Sequence, residues 1–330
     1  MSSGSGTGRG VRAPSPVPLT QDEEAVSQPQ QSAEPERIID ARYRVVRLLG
    51  EGGFGQVFEC RHVGTRRPFA VKLLLPEIAR RPGVLTRFLR EAQTAGCIKS
   101  ANVVDVIDVG QCRSTNAAFM AMELLDGHDL AKQLERGPLA PELVLRVAAQ
   151  ALAGLCAAHA EGVVHRDIKP PNLFLARSSG GQRIVKVLDF GIAKVLGEDN
   201  LERAKLTVTG SILGSPWYMS PEQANGSADI DHRSDIWSHG AVMYEALAGV
   251  TAYHGVTTLQ QLLRQICEGP PPPVTVHAPH VAPGLAAIVT KAMAHNPADR
   301  YQSAQEMLDA VTALLEEQEA APERRVAQRA

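Results

Sequence analysis

The 330-residue sequence has almost no excess of charge of either sign: 34 Lys and Arg stand against 36 Asp and Glu, a formal net charge of −2. A chain so balanced carries no basic footprint for a nucleic acid and no charged face for a membrane surface. Cysteine is sparse. Cys60, Cys97, Cys112, Cys156 and Cys267 form no CxxC pair and show no metal-type spacing, which predicts free thiols in a reducing cytoplasm, with no disulfide and no zinc. No window approaches the roughly 20 consecutive apolar residues of a membrane span. The N-terminus, MSSGSGTGRG, lacks the apolar core of a secretion signal, and no repeat of about 20 to 50 residues is visible.

What is there is a chain with 44% hydrophobic residues, long enough for two lobes with separate cores. Residues 1–37 are Ser, Gly, Pro, Gln and Glu with almost no large apolar side chain, so they cannot offset chain entropy and are expected to be disordered. From residue 38 to 125 the reading is strand-rich. RYRVVRLLG and QVFECRHV are two strands joined by glycines, PFAVKLLL is a third, and AAFMAMELL is another. Between them VLTRFLREAQTAGCI places Leu85, Phe88, Leu89, Ala92 and Ala95 at helical spacing. Residues 126–315 turn helical. PELVLRVAAQALAGLCAAHAEG puts Val144, Val147, Ala151, Leu152 and Leu155 on one face and stops at Gly162, while SDIWSHGAVMYEALAG is apolar all round and predicts a buried central helix. LAAIVTKAMA and AQEMLDAVTALLEE are further helices, the prolines at 270–273 a stiff connector, and residues 316–330 a charged tail that frays.

Three stretches carry chemistry. GEGGFG, residues 50–55, fits GxGxxG, but the residues after it read as a strand and not as the helix of a dinucleotide site, so the glycines sit at a hairpin tip. There they let backbone N–H groups cover phosphates, with Phe54 excluding water. Lys72 lies in the apolar strand FAVKLLL, where an unpaired ammonium would cost several kcal/mol. Glu91, flanked by apolar residues of the next helix, is its candidate partner, and a lysine snorkelling from a strand edge is the plainer alternative. HRDIKPPN, residues 165–172, gathers Asp167, Lys169 and Asn172, and KVLDFG ends a strand in Asp189 seventeen residues later. Carboxylate and amide oxygens are hard donors suited to Mg²⁺, which keeps phosphates and waters as its other ligands.

In order and approximate spacing these segments resemble eukaryotic-type protein kinases, and most of all bacterial serine/threonine kinases. The resemblance rests on GEGGFGQV, FAVK, REA, HRDIKPPN, DFG, SPE at 220–222, DIWSHG at 235–240 and the arginine of PADRYQSA, and covers roughly residues 40–315. It implies an α+β bilobal kinase fold, with a small strand-rich N-lobe holding one main helix and a larger, mostly helical C-lobe. It also implies an ATP-dependent enzyme using Mg²⁺, with Mn²⁺ as a substitute, and protein substrates modified at Ser and Thr. In that family's pattern Asp167 accepts the proton of the substrate hydroxyl, Lys169 neutralises the transferring group, Asn172 and Asp189 hold the metal, and Lys72, fixed by Glu91, grips the α- and β-phosphates. Gly50, Glu51, Gly52, Gly53, Phe54 and Gly55, with Val57 and Ala70, enclose the nucleotide, and Met122, Glu123, Leu124 and Leu125 are the hinge whose backbone meets adenine.

The same resemblance makes Gly191 to Glu222 a peptide-binding activation segment. Thr207 and Thr209 are its regulatory phosphorylation sites, reached by autophosphorylation in a transient dimer, and Arg166, with no evident partner in its local sequence, reads the phosphate. Glu222 and Arg300 form a buried structural ion pair. Lys169 implies preference for Ser and Thr over Tyr. Two positions depart from the pattern: Ser215 replaces the usual threonine but keeps the hydroxyl, and Pro171 replaces a polar residue. A catalytically dead relative would have lost Lys72, Asp167 or Asp189, and all three are present. A small-molecule phosphotransferase would lack the long segment before Glu222.

Overall fold

A computed structural model of the chain describes residues 37–327, apart from residues 53–54, 82, 179, 191–215 and 228. The predicted disordered arm, residues 1–37, lies outside the described residues except for Arg37. From there the β-branched and aromatic segments form a six-stranded sheet: β1 (Ile38–Ile39), β2 (Tyr43–Gly52), β3 (Gly55–His62), β4 (Pro68–Leu74), β5 (Val106–Gln111) and β6 (Ala118–Glu123). Their order is β1-β2-β3-β4-β6-β5, antiparallel throughout. Between β4 and β5 run a short helix, α1 (Pro76–Ala79), and the long one, α2 (Val84–Cys97). The apolar face of α2 covers the sheet: Val84, Phe88 and Ala92 pack with Ala70, Leu74, Met120 and Met122, and Leu85 and Leu89 are half-buried beside them. The sequence reading omitted β1 and β5. β1 has two residues, and the alternation of β5 is interrupted by Asp108 and Gly110.

The larger lobe opens with β7 (Gly127–Asp129), α3 (Leu130–Leu134) and α4 (Pro141–Ala160), followed by β8 (Leu173–Arg177) and β9 (Arg183–Val187). β7, β8 and β9 make a second, three-stranded antiparallel sheet, of which the sequence pattern predicts only the strand of KVLD, in β9. Then come α5 (Pro221–Ala224), α6 (Arg233–Ala248), α7 (Leu259–Glu268), α8 (Pro283–Ala292) and α9 (Ala304–Ala327). α6 is the predicted central helix, with 13 of its 16 residues buried. α4 is long and apolar enough to cross a bilayer by composition, but Val144, Leu145, Ala151, Leu152 and Leu155 join the core around α6. The charged tail does not begin with a break at 316. α9 continues to Ala327, because Glu, Gln and Ala at 316–321 are strong helix formers.

One seam ties the small-lobe sequence to the large lobe. The loop before β5 bridges β9, with Val104 N donating to Val187 O at 3.0 Å and Val187 N to Asn102 O at 2.8 Å. The Asn102 amide reaches Val185 O at 2.9 Å. Lys186, on β9, donates to Val103 O at 3.2 Å and pairs with Glu123 at 2.6 Å.

Among the described residues, Trp237 Nε1, Tyr253 Oη and both ring nitrogens of His239 are buried in the core without a partner, and His239 is the ionisable one that burial costs most. His239 on α6 is 1% exposed, and neither ring nitrogen finds a partner among the described residues. It borders a small cavity lined by Leu130, Val144, Leu173, Val242 and Met243. Burial drives its pKa down from 6.5 to about 4, with Asp235 opposing. The unfolded chain therefore takes up a proton first as pH falls, so stability present above pH 6.5 is lost on the way down to about pH 4. That difference corresponds to roughly 3 kcal/mol. His239→Leu is expected to raise the melting temperature, and the gain should widen between pH 6.5 and 4. Calorimetry across that range checks it.

Candidate active site

The catalytic loop lies between α4 and β8 and has little regular structure, so its polar backbone groups need partners from elsewhere. Asp235, in the first turn of α6 and without exposed surface, supplies them. Its carboxylate accepts from His165 N at 2.8 Å, Arg166 N at 2.7 Å and His159 Nε2 at 2.8 Å. His165 is fully buried, contacts Leu188 O through Nε2 at 2.7 Å, and packs its ring 4.7 Å from that of Phe190. The next residue, Arg166, adopts φ 65°, a left-handed conformation that costs a non-glycine residue about 1 kcal/mol. Its guanidinium donates to Ile230 O at 3.2 Å, a partner 64 positions away in sequence.

This bend turns Asp167 toward Lys169 and Asn172. Lys169 Nζ lies 2.7 Å from Asp167 Oδ2, and the Asn172 amide donates to Asp167 O at 2.7 Å and to Oδ2 at 3.1 Å. Pro170 and Pro171 open the single 3₁₀ turn, Pro170–Asn172, that carries the amide back to the aspartate. Pro171, the departure from the family pattern, thus has a conformational role. Leu188 N donates to Asn172 O at 2.9 Å and sets the DFG aspartate beside this cluster. The strand itself stops at Val187, two residues short of the predicted end, and Asp189 lies beyond it at φ 54°.

Asp189 faces the small lobe. Lys72 Nζ, on β4, is 2.7 Å from Asp189 Oδ1. Desolvation in the cleft opposes ionisation of Asp189, but the charge and hydrogen bond of Lys72, with His165 and Lys169, outweigh it and hold its pKa below the ordinary carboxylate value. The predicted partner of Lys72, Glu91, is on α2, but its side chain lies outside the described residues. The donor set fits a hard divalent cation: Asp189 supplies carboxylate oxygen, and Asn172, its nitrogen committed to Asp167, has its amide oxygen to offer.

Above the cluster β2 and β3 form the predicted hairpin, pairing as far as Gly52 with Gly55, while Gly53 and Phe54 at the tip lie outside the described residues. The glycines differ in purpose. A Cβ on Gly55 would come 2.2 Å from Leu73 O, so packing on β4 demands glycine there. Around Gly50 and Gly52 a Cβ would meet nothing within 4 Å. The protein's own packing does not require glycine at these two positions, whereas a ligand pressed against the backbone would. Val57 is half-buried, Ala70 and Met122 are buried, and Glu123, Leu124 and Leu125 follow at the end of β6. Thr207 and Thr209 lie outside the described residues, as does Ser215.

The family model for the protein kinase domain matches residues 43–311. The chain belongs to the protein kinase family. It is 37% identical over 272 residues to the serine/threonine-protein kinase pkn3 of Myxococcus xanthus, covering 82% of this chain and 49% of that one. Over 276 residues it is 37% identical to the serine/threonine-protein kinase PknB of Mycolicibacterium smegmatis, covering 83% of this chain and 43% of that one. The kinase thus spans about half the length of the curated relatives it matches or less. In three dimensions it is similar to the PknI kinase domain of Mycobacterium tuberculosis, with TM-score 0.65 and 27% identity over 85% of this chain and 99% of that one.

Two parts of the kinase site went unassigned in the sequence reading. Asp235 lies in DIWSHG, and a carboxylate in an otherwise apolar helix already asks for a buried partner. The second is the anchorage of the segment before α5. Ser220 caps α5 in a capping box with Gln223, Ser238 Oγ holds Tyr218 O at 2.7 Å, and Tyr218 Oη reaches Glu245 at 2.6 Å. The predicted ion pair completes this anchorage. Arg300, 1% exposed, makes two 2.8 Å bonds to Glu222 and spends its other donors on Ala294 O, Arg233 O and His295 O, with the guanidinium 5.0 Å from the Trp237 ring centroid. Arg300→Leu should destabilise the kinase by about 3–5 kcal/mol, because Glu222 is left charged and unpaired. Adding Glu222→Leu should recover much of that loss in urea unfolding, and a double variant as unstable as the single one would contradict the pairing.

Proposed function

We propose that this protein is an ATP- and Mg²⁺-dependent serine/threonine kinase that transfers the γ-phosphate to Ser and Thr hydroxyls of protein substrates and autophosphorylates on its activation segment. The observation that carries the reading is the Asp167, Lys169 and Asn172 cluster, facing the Lys72–Asp189 pair beneath a hairpin with two sterically unrequired glycines. Asp167 orients the substrate hydroxyl in line with the γ-phosphorus and accepts its proton, while ADP departs on the opposite side. Lys169, already on the same carboxylate oxygen, offsets negative charge on the transferring group. Lys72 exchanges part of its contact with Asp189 for the nucleotide's phosphates. A divalent ion, when bound to Asp189 and Asn172, neutralises phosphate charge.

Asp167→Asn should reduce kcat by about 10²- to 10⁴-fold with nucleotide affinity little changed, since the proton acceptor is lost and the phosphate contacts remain. Transfer from labelled ATP to a generic basic protein, with nucleotide titration, measures both, and turnover retained in Asp167→Asn removes that residue from the role. Phosphoamino-acid analysis should return phosphoserine and phosphothreonine, and mainly phosphotyrosine would overturn the assigned preference.

Regulation is part of the same reading. Thr207 and Thr209, seven and five residues before Gly214, would each gain about 1.5 to 2 negative charges on phosphorylation, and the Arg166 guanidinium offers a planar donor fork beside the catalytic aspartate. A transient dimer supplies the second active site, and the five free cysteines support a reducing, cytoplasmic setting. After incubation with ATP and Mg²⁺, mass spectrometry should find phosphate on one or both threonines. The Thr207→Ala, Thr209→Ala double variant should lose most of its activity toward an added substrate. Full activity in that variant, with no phosphate in the wild type, would defeat this regulatory reading.

A further inference from the structure

The peptide unit joining Arg166 to Asp167 is held at both of its polar ends. Its N–H, on Asp167, donates to His165 Nδ1 at 3.2 Å. Its carbonyl, on Arg166, accepts from Gln223 Nε2 at 2.8 Å, a contact across 57 residues of sequence. That plane sets the backbone from which the Asp167 side chain departs, and it follows a left-handed residue whose own N–H is taken by Asp235. Nothing in a regular element would hold a bend of this kind.

Gln223 reaches it from α5, the helix that ends the segment anchored by Tyr218 and Arg300. Its side chain is engaged in two directions. Oε1 accepts from Ser220 N at 3.0 Å, and Gln223 N donates to Ser220 Oγ at 3.4 Å, the two halves of the capping box of α5; Oε1 also accepts from Ser220 Oγ at 3.2 Å, while Nε2 turns outward to Arg166 O. A glutamate would cap α5 equally well, since a capping box takes either residue. Only the amide can cap the helix and also donate to a carbonyl. Glutamine at this position therefore does something the helix itself does not need.

We infer that Gln223 is a positioning residue for the reaction, coupling the segment that precedes α5 to the catalytic carboxylate by fixing the Arg166–Asp167 peptide plane. The inference rests on the kinase reading for its effect on turnover, but the coupling itself is a property of the free protein. Loss of the bond releases the plane and spreads Asp167 over orientations that do not meet the substrate hydroxyl, so it acts on kcat and leaves the nucleotide contacts alone.

The test compares Gln223→Glu, which keeps the cap and deletes the donor, with Gln223→Met, which deletes both. In Gln223→Glu, kcat should fall about tenfold or more while KM for ATP stays within about twofold. The melting temperature should stay close to wild type, and hydrogen exchange at 165–167 should accelerate. Gln223→Met should show the same loss of kcat together with a lower melting temperature. Unchanged kcat in Gln223→Glu, unchanged exchange of the loop, or a loss of kcat confined to Gln223→Met and matching its loss of folded protein would reduce Gln223 to a helix cap. Wild-type protein that transfers no phosphate would instead defeat the functional reading, and loop exchange in the two variants would still decide the coupling.

Discussion

Everything at the site hangs on one carboxylate that water never reaches. Asp235 is placed in the first turn of α6, where the helix N-terminus favours a negative charge, and three donors converge on its two oxygens. A charge without exposed surface is tolerable only when it is so surrounded. In return it gives the catalytic loop what a strand or helix would have given: fixed partners for consecutive backbone N–H groups. The bend at Arg166, the turn of Asp167 toward Lys169 and the return of Asn172 all follow from that fixed point.

The larger lobe shows the same economy elsewhere. Arg300 meets five acceptors with its five N–H groups and so survives burial, and its partner Glu222 is held ionised, with desolvation opposing and the guanidinium bonds prevailing. His239 is the contrast. A neutral imidazole beside a small apolar cavity has no such set of partners, and nothing in the site uses it. Asp235 and Arg300, which organise the catalytic loop and the segment before α5, are met by several hydrogen bonds each, whereas both ring nitrogens of His239 have none among the described residues.

How much of this was legible in the sequence depended on the range of the interaction. Local patterns were readable: the all-round apolar α6, the face of α4, and the strand pair joined by glycines. Short elements were not, because β7 has three residues and its partner β8 lies beyond α3, α4 and the catalytic loop, so the pairing leaves no local trace. α7 was overlooked although Leu259, Leu262, Leu263 and Ile266 have helical spacing after the capping Thr258. Motif order gave the residue types of the site, but their partners are long-range. The pairing of Lys72 with Asp189 across 117 positions and the hold of Gln223 on Arg166 depend on how the lobes and the loop pack.

The seam between residues 102–104 and β9 has a mechanical meaning for α2. That helix ends at Cys97, a few residues before a loop stitched to the large lobe by backbone bonds, by Asn102 and by Lys186. One end of α2 is thus clamped to the body that carries the catalytic loop, while the other opens onto the short α1 turn. A rod clamped at one end is a lever. Position 91 stands six residues from the clamped end of α2 at Cys97, about 9 Å along the axis, so a swing of about 10° about that end would carry its backbone by about 1.6 Å. Small rotations of α2 are therefore translated into ångström-scale travel of the middle of α2, with no rearrangement needed at the clamped end.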